Sequence, residues 1–221
     1  MTEAVRHAFA DEINKLEQDL LKMGSVVEQM LHKSIEALST QNVLLADEAI
    51  AMDDIVDDYN LSIENECLRL LALQQPMARD LRTIAATMKI ITDIERMGDY
   101  VVDIAKTAKR ISDKPLFKPL DYIPRMSDLA KKMLREALEA FVSRDLGLIQ
   151  HMIEHDDEVD SLNRQLHEEL IAHMERDPSV VRQAVSLILI SRYLERLADH
   201  VTNVGERVYY METGEMKELH T

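Results

Sequence analysis

Apolar residues recur along the chain in steps of three and four, which is the spacing of one face of an α-helix. The first such series comprises Ile13, Leu16, Leu20, Met23, Val27 and Met30. Similar series follow. Pro76 and Pro178 each lie between two of these series, where the missing N–H and fixed φ of proline disturb a helix least. Three more prolines fall in the stretch from about 113 to 124, which breaks the helical pattern clearly.

This pattern predicts an all-α protein with six long helices. We place them near residues 5–40, 43–75, 78–112, 122–143, 146–175 and 179–212. Short connections make neighbouring helices antiparallel, so each half is expected to form an up-down-up three-helix bundle. The predicted domains are a first bundle over 1–112, a proline-containing linker over 113–121 and a second bundle over 122–221.

The two halves of the sequence repeat each other. Met23, Met30, Leu31 and Ala37 return 103 positions later as Met126, Met133, Leu134 and Ala140. The segment 53–57 returns at the same offset as 156–160. After Pro76 and Pro178 the offset falls to 100, where Arg82, Ile90, Glu95, Arg96, Asp99 and Val101 match Arg182, Ile190, Glu195, Arg196, Asp199 and Val201. A short deletion in one loop explains the change of offset, so the chain is read as an internal duplication.

Composition supports the helical prediction and narrows the partners. Aromatic residues make up 4% of the chain, with five glycines, five prolines and 13 methionines, a composition that favours helix over strand. The net charge of −15 argues against nucleic acid and anionic membranes, and favours cations or basic protein surfaces. The single cysteine, Cys67, suggests a reducing compartment. Without a secretory or membrane-spanning apolar run, we expect a cytoplasmic protein that does not insert into the membrane.

Acidic residues at steps of four form rows on the second and third predicted helices of each half. The candidate metal ligands in the first half are Asp53, Asp57, Glu95, Asp99 and Asp103, and those in the second half are Asp156, Asp160, Glu195, Asp199 and Asn203. Like charges at this spacing cost about 0.2–0.5 kcal/mol per pair. The rows are therefore either solvated surface or sites for hard divalent cations such as magnesium, manganese or iron.

Other polar residues allow several interpretations. Arg96 and Arg196 follow the glutamates, and could form interhelical ion pairs, contact phosphate or be surface charges; we prefer the ion pair. His151, His155 and His200 lack counterparts in the first half, and are read as ordinary surface histidines. Gly98 and Ala198 match as small residues inside a helix, which predicts close helix packing there.

In combination, these motifs resemble the PhoU family. The resemblance rests on the D-D-x-V-D segment of the second helix and the E-R-[ML]-[GA]-D-x-V motif of the third, both of which occur in each half. The resemblance implies a cytosolic, usually dimeric protein that represses the phosphate-starvation response. It also implies the ATPase of the phosphate ABC transporter and a phosphate sensor histidine kinase as partners.

The same resemblance implies iron or zinc clusters on paired E/D-x-x-x-D motifs. Those motifs match Asp53 with Asp57 beside Glu95 with Asp99, and Asp156 with Asp160 beside Glu195 with Asp199. Asn203 departs from the pattern where the first half has Asp103, so the second site is expected to be weaker.

The resemblance therefore implies a non-enzymatic negative regulator of phosphate uptake and signalling, with bound metal as a candidate for its gate. The alternative is a carboxylate-bridged metal-dependent enzyme acting on phosphate compounds. That enzyme would need an open coordination position and a positioned general base, and no residue plainly fills the second role. A plain helical adaptor with solvated acidic rows is a third possibility.

Overall fold

The computed structural model of the chain describes residues 3–74 and 76–219. It has seven α-helices and one short 3₁₀ turn, Pro178–Val180. The helices are α1 (Glu3–Thr40), α2 (Val43–Ala51), α3 (Asp53–Gln74), α4 (Ala78–Arg110), α5 (Tyr122–Ser143), α6 (Gly147–Arg176) and α7 (Val181–Thr213). These bounds agree with the predicted ones to within a few residues, and the described ranges contain no strand. The all-α prediction is confirmed; Gln75, the predicted end of the second helix, lies outside the described residues.

The second predicted helix is not continuous, because it breaks at Met52 into α2 and α3. Asp53 and Asp54 form the first turn of α3, where acidic side chains are favoured by the positive end of the helix dipole. Ala46 and Ala49 of α2 pack in a small cluster of their own with Ala37 and Ala105. In the second bundle α6 runs unbroken through the equivalent region.

The duplication also appears in the backbone. Gln41, just after α1, has a φ of 56°, and Arg144, just after α5 and 103 positions later, has a φ of 64°. Residues other than glycine seldom adopt this left-handed conformation. Both halves therefore turn out of their first helix through the same unusual backbone geometry.

Each half forms a three-helix bundle when α2 and α3 are counted as one interrupted helix. Helix α1 packs on α2, α3 and α4, and α5 packs on α6 and α7. Of the first apolar series, Leu16, Leu20 and Met23 are fully buried, whereas Ile13 is only partly buried. The linker between the bundles is held against the second one, since Lys118 pairs with Glu169 at 2.6 Å.

The two bundles meet mainly through α4 and α7, with a smaller contact between α1 and α5. Arg82 Nε donates to the Met211 carbonyl at 3.0 Å, and His200 Nδ1 lies 2.9 Å from Asp93 Oδ1. Positions rise along α4 as they fall along α7, so the two helices are antiparallel. Among the described helices, none is both long and apolar enough to cross a bilayer.

Candidate functional site

The first carboxylate cluster consists of Asp53, Asp57, Glu95 and Asp99, at the contact between α3 and α4. Its position depends on Gly98: a Cβ there would lie 3.2 Å from Asp53 Oδ1 and 3.5 Å from Val56 Cγ1. The small residue lets the start of α3 sit directly over α4, as the sequence predicted for this position. The four acidic side chains are thereby gathered at one surface.

The carboxylates of the first cluster are close enough to affect the pKa of Asp53 and of Glu95. Burial raises the pKa of Asp53 to about 6, and the charges of Asp57, Asp99, Asp54 and Glu95 act in the same direction. Burial also raises the pKa of Glu95, with the charge of Asp99 adding to the effect and Arg96 opposing it. Negative charge at this surface is therefore incompletely compensated.

The second carboxylate cluster, predicted as Asp156, Asp160, Glu195 and Asp199, lies on α6 and α7, and the structure brings Asp160 and Asp199 close to Glu195. Burial raises the pKa of Glu195, and the charges of Asp199 and Asp160 contribute, while Arg192 and Arg196 oppose them. Arg192 donates to Glu195 Oε1. The other oxygen, Oε2, is buried and has no hydrogen-bond partner within the described chain.

Asp103 and Asn203 are the last residues of the two predicted rows. Asp103 is half-buried one turn beyond Asp99. Asn203 Nδ2 donates to Asp93 Oδ1 on α4 at 3.2 Å. The amide at 203 thus joins the two bundles, a role that its place in the row did not reveal.

The two arginines do not form the interhelical ion pairs that we preferred. Arg96 Nη1 pairs with Asp99 Oδ2 at 2.9 Å, and its Nε lies 3.6 Å from Glu95 Oε2, both on its own helix. Arg196 does cross to α4, but its partner is the hydroxyl of Tyr100 at 3.4 Å. The neighbouring acidic residue in the next turn satisfies Arg96 first, because i,i+3 side chains are adjacent on a helix.

A polar and aromatic seam between α4 and α7 was missed from sequence. Tyr100 stacks on Tyr193 at 6.2 Å and lies 5.7 Å from the ring of His200, which also contacts Asp93. His200 is consequently an interface residue and not a surface one. Positions 93 and 193, and 100 and 200, are equivalent in the duplication, but their residue types differ, so the repeat gave no signal. The seam lies between the two carboxylate clusters.

The donor chemistry of both clusters fits a hard divalent cation. Carboxylate oxygens are the ligands such cations prefer. Burial, together with the neighbouring negative charges, raises the pKa of Asp53, and a bound cation would relieve both effects. The buried Oε2 of Glu195 also lacks a hydrogen-bond partner in the described chain, although Arg192 pairs with the other oxygen. Over residues 3–74 and 76–219, however, no three acidic, histidine or cysteine side chains are already arranged to hold a metal.

Comparison with known proteins supports the duplication. The family model described as "PhoU domain" matches twice, over residues 20–108 and 123–208. A protein of Clostridium acetobutylicum named "Phosphate-specific transport system accessory protein PhoU homolog" is 40% identical over 215 residues, covering 97% of this chain and 98% of its own. A protein of the same name from Aquifex aeolicus is 39% identical over 205 residues, covering 93% of each chain.

Solved structures agree. The crystal structure of PhoU from Pseudomonas aeruginosa superposes with a TM-score of 0.89 at 31% identity, covering 94% of this chain and 100% of that one. The phosphate transport system regulatory protein PhoU from Streptococcus pneumoniae gives a TM-score of 0.88 at 31% identity, covering 95% and 99%. Together with the two-bundle fold and the repeated acidic motifs, these matches show that the chain belongs to the PhoU family.

Proposed function

We propose that this protein is a non-enzymatic regulator of a phosphate transport system, which restrains phosphate uptake and phosphate-starvation signalling. The names of its relatives, an accessory protein and a regulatory protein of phosphate transport, support this role. It would act in the cytoplasm as a homodimer, through contacts with the transporter ATPase and the sensor histidine kinase. The observation that carries the proposal is the PhoU domain matched in both halves of the chain, and each bundle adds a carboxylate cluster at the equivalent place.

Bound cations are the proposed gate. Asp53, Asp57, Glu95 and Asp99 would hold one site, and the second cluster would hold the other, with iron, zinc, manganese or magnesium as candidates. The cation would neutralise a surface that otherwise repels itself. Asp103 and Asn203 would support these sites from the adjoining turn of each helix.

Charge also indicates the character of the partner surfaces. A protein of net charge −15 meets basic patches most favourably, so association with either partner should weaken as salt rises. Arg96 and Arg196 are exposed beside the carboxylate clusters. They would be the positively charged residues of this acidic face that contact a partner. Cations on the carboxylate clusters would change the same electrostatic surface, which links metal occupancy to partner choice.

The enzymatic alternative draws on the same geometry. A carboxylate with a pKa near 6, such as Asp53, can accept a proton at neutral pH, as a general base must. Turnover of phosphate esters by the purified, metal-supplemented protein would support that alternative. We expect the wild-type protein to hydrolyse phosphate esters no faster than a Glu95→Gln, Glu195→Gln double variant does.

The decisive experiment measures repression in cells. Deleting the gene should raise expression of phosphate-starvation genes in plentiful phosphate, and the Glu95→Gln, Glu195→Gln variant should fail to restore repression. The matched control is Glu64→Gln with Glu168→Gln, which removes the same charge from exposed positions on α3 and α6. Starvation genes that stay silent after deletion, in a strain without a paralogue, would contradict the regulatory role. Full repression by the Glu95→Gln, Glu195→Gln variant would contradict gating by bound cations but not the regulatory role.

A further inference from the structure

A second polar site lies in the second bundle, where α5 meets α6. His155 Nε2 stands 3.6 Å from Glu136 Oε1, with side-chain exposures of 18% and 14%. Both His155 Nε2 and Glu136 Oε2 are buried without a hydrogen-bond partner in the described chain. Buried polar atoms nearly always have a partner, and unpaired ones indicate a water or ion that completes the site. Lys132 Nζ also lies 3.9 Å from Glu136 Oε1.

His151 lies one helical turn before His155, on the same side of α6. In the first bundle, side chains at the positions equivalent to 151 and 136 meet. The equivalent residues there, 103 positions earlier, are Glu48 and Lys33, which pair at 2.7 Å between Oε2 and Nζ. In the second bundle the basic and acidic partners have exchanged helices, and a second histidine, His155, stands where the first bundle has Met52.

We propose that His151, His155 and Glu136 form a binding site for a late first-row divalent metal, with zinc as the best fit. Two imidazoles four residues apart on one helix, with a carboxylate from a neighbour, supply three ligands of a tetrahedral site, and water supplies the fourth. His155 and Glu136 already face each other. His151 is exposed, and completes the site by turning inward, with the Lys132 side chain moving aside.

This site differs from the carboxylate clusters in its donors and in its consequence. Imidazole favours zinc and other late metals, whereas the clusters present only hard oxygen ligands. A metal here clamps α5 to α6. Because Asp156 directly follows His155, the clamp also fixes the turn of α6 that carries the second carboxylate cluster.

Titration of the metal-free, full-length protein with zinc chloride against a chelating dye tests the proposal. His155→Met, which installs the first-bundle residue, and His151→Gln, at an exposed position, should each lower zinc affinity at this site more than about tenfold. The matched control is His32→Gln, an exposed histidine that also lies near a glutamate, Glu36, at 3.7 Å. It should leave zinc binding unchanged.

Two further readouts separate this site from the carboxylate clusters and from misfolding. Cobalt should give the visible absorption of a tetrahedral site in wild type and in the Glu95→Gln, Glu195→Gln variant, but not in His151→Gln. Circular dichroism of each metal-free variant should match wild type. Equal zinc affinity in wild type, His151→Gln and His155→Met would overturn the proposal, as would zinc binding that disappears only in the cluster variant.

Discussion

The two bundles share a scaffold but compensate their acidic clusters differently. In the first, Arg96 pairs with Asp99 and Glu95 along its own helix. In the second, Arg192 pairs with Glu195 and Arg164 with Asp160, while the charge of Arg196 also acts on Glu195. The duplication has kept the carboxylates and changed their counter-charges. Two sites that look equivalent in sequence should therefore differ in cation affinity.

Packing also differs between the bundles, and here a change in the size of one residue is matched by a change in the residue that faces it. Gly205 on α7 faces Met152, whose Cε would lie 2.6 Å from an added Cβ. The equivalent residues in the first bundle are Ala105 and Ala49, which belong to one small alanine cluster. A large residue opposite glycine on one side corresponds to two small residues on the other. The two facing residues have therefore changed together, and the duplication has kept the identity of neither one.

The largest effect should come from exchanging this pair. Met152→Ala should cost about 2–5 kcal/mol in the free energy of unfolding, because it leaves a cavity in the second bundle. Adding Gly205→Ala should recover part of the loss by restoring the first-bundle combination. Chemical denaturation of both single variants and the double variant checks this, and strictly additive effects would contradict the compensation.

Cation binding should stabilise the first cluster more than the second. Manganese at 100 times Kd contributes about 2.7 kcal/mol per site, or roughly 5–10 °C in Tm for a chain of this size. Asp99→Asn should remove more of that gain than Asp199→Asn, because three arginines oppose cation binding at the second cluster. Thermal melting across a manganese titration measures both. An unchanged wild-type Tm would argue against cations at either cluster, and equal losses would argue against the asymmetry.

Acid should stabilise the metal-free protein through Asp53. Its pKa rises from 3.8 to about 6 on folding, so the folded state binds the proton more tightly than the unfolded one. The stabilisation is present at low pH and is lost as pH rises from about 4 to about 6. Asp53→Asn should flatten this dependence and raise Tm at pH 7 by roughly 2 °C, a small value because solvent screens a half-buried charge. The exposed Asp58→Asn serves as the control, and a matching pH profile for the two variants would refute the assignment.

The smallest effect should follow from making the second cluster more like the first. Arg192→Thr places the residue found at position 92, and removes the partner of Glu195. Stability should fall by less than about 1 kcal/mol, since the Arg192 side chain is nearly half exposed, even though that of Glu195 is largely buried. Manganese affinity of the second cluster should nevertheless rise. Calorimetric titration of an Asp99→Asn background isolates that cluster, and unchanged affinity would show that Arg192 does not control it.

Local patterns in the sequence were enough to predict the helices, the duplication and the acidic rows. The three-to-four spacing of Leu16, Leu20 and Met23 predicts a buried helical face, and all three are buried. Steps of four place Glu95 and Asp99 together whatever the helix packs against. Such features depend only on helix geometry, so they follow from residues near one another in the chain. The break at Met52, with Asp53 and Asp54 in the first turn of α3, was not predicted.

Tertiary structure decided which of these residues meet across helices. Asp93 with His200, Tyr100 with Arg196 and Glu136 with His155 each join residues from different helices. Spacing along one helix fixes the face on which a side chain lies, but not the neighbour or the register that this face meets. Pairing across helices depends on how ridges of side chains fit into grooves over the whole interface. The bundles, the rows and the family were therefore readable from the sequence, while the arginine partners, the α4–α7 seam and the histidine site required the fold.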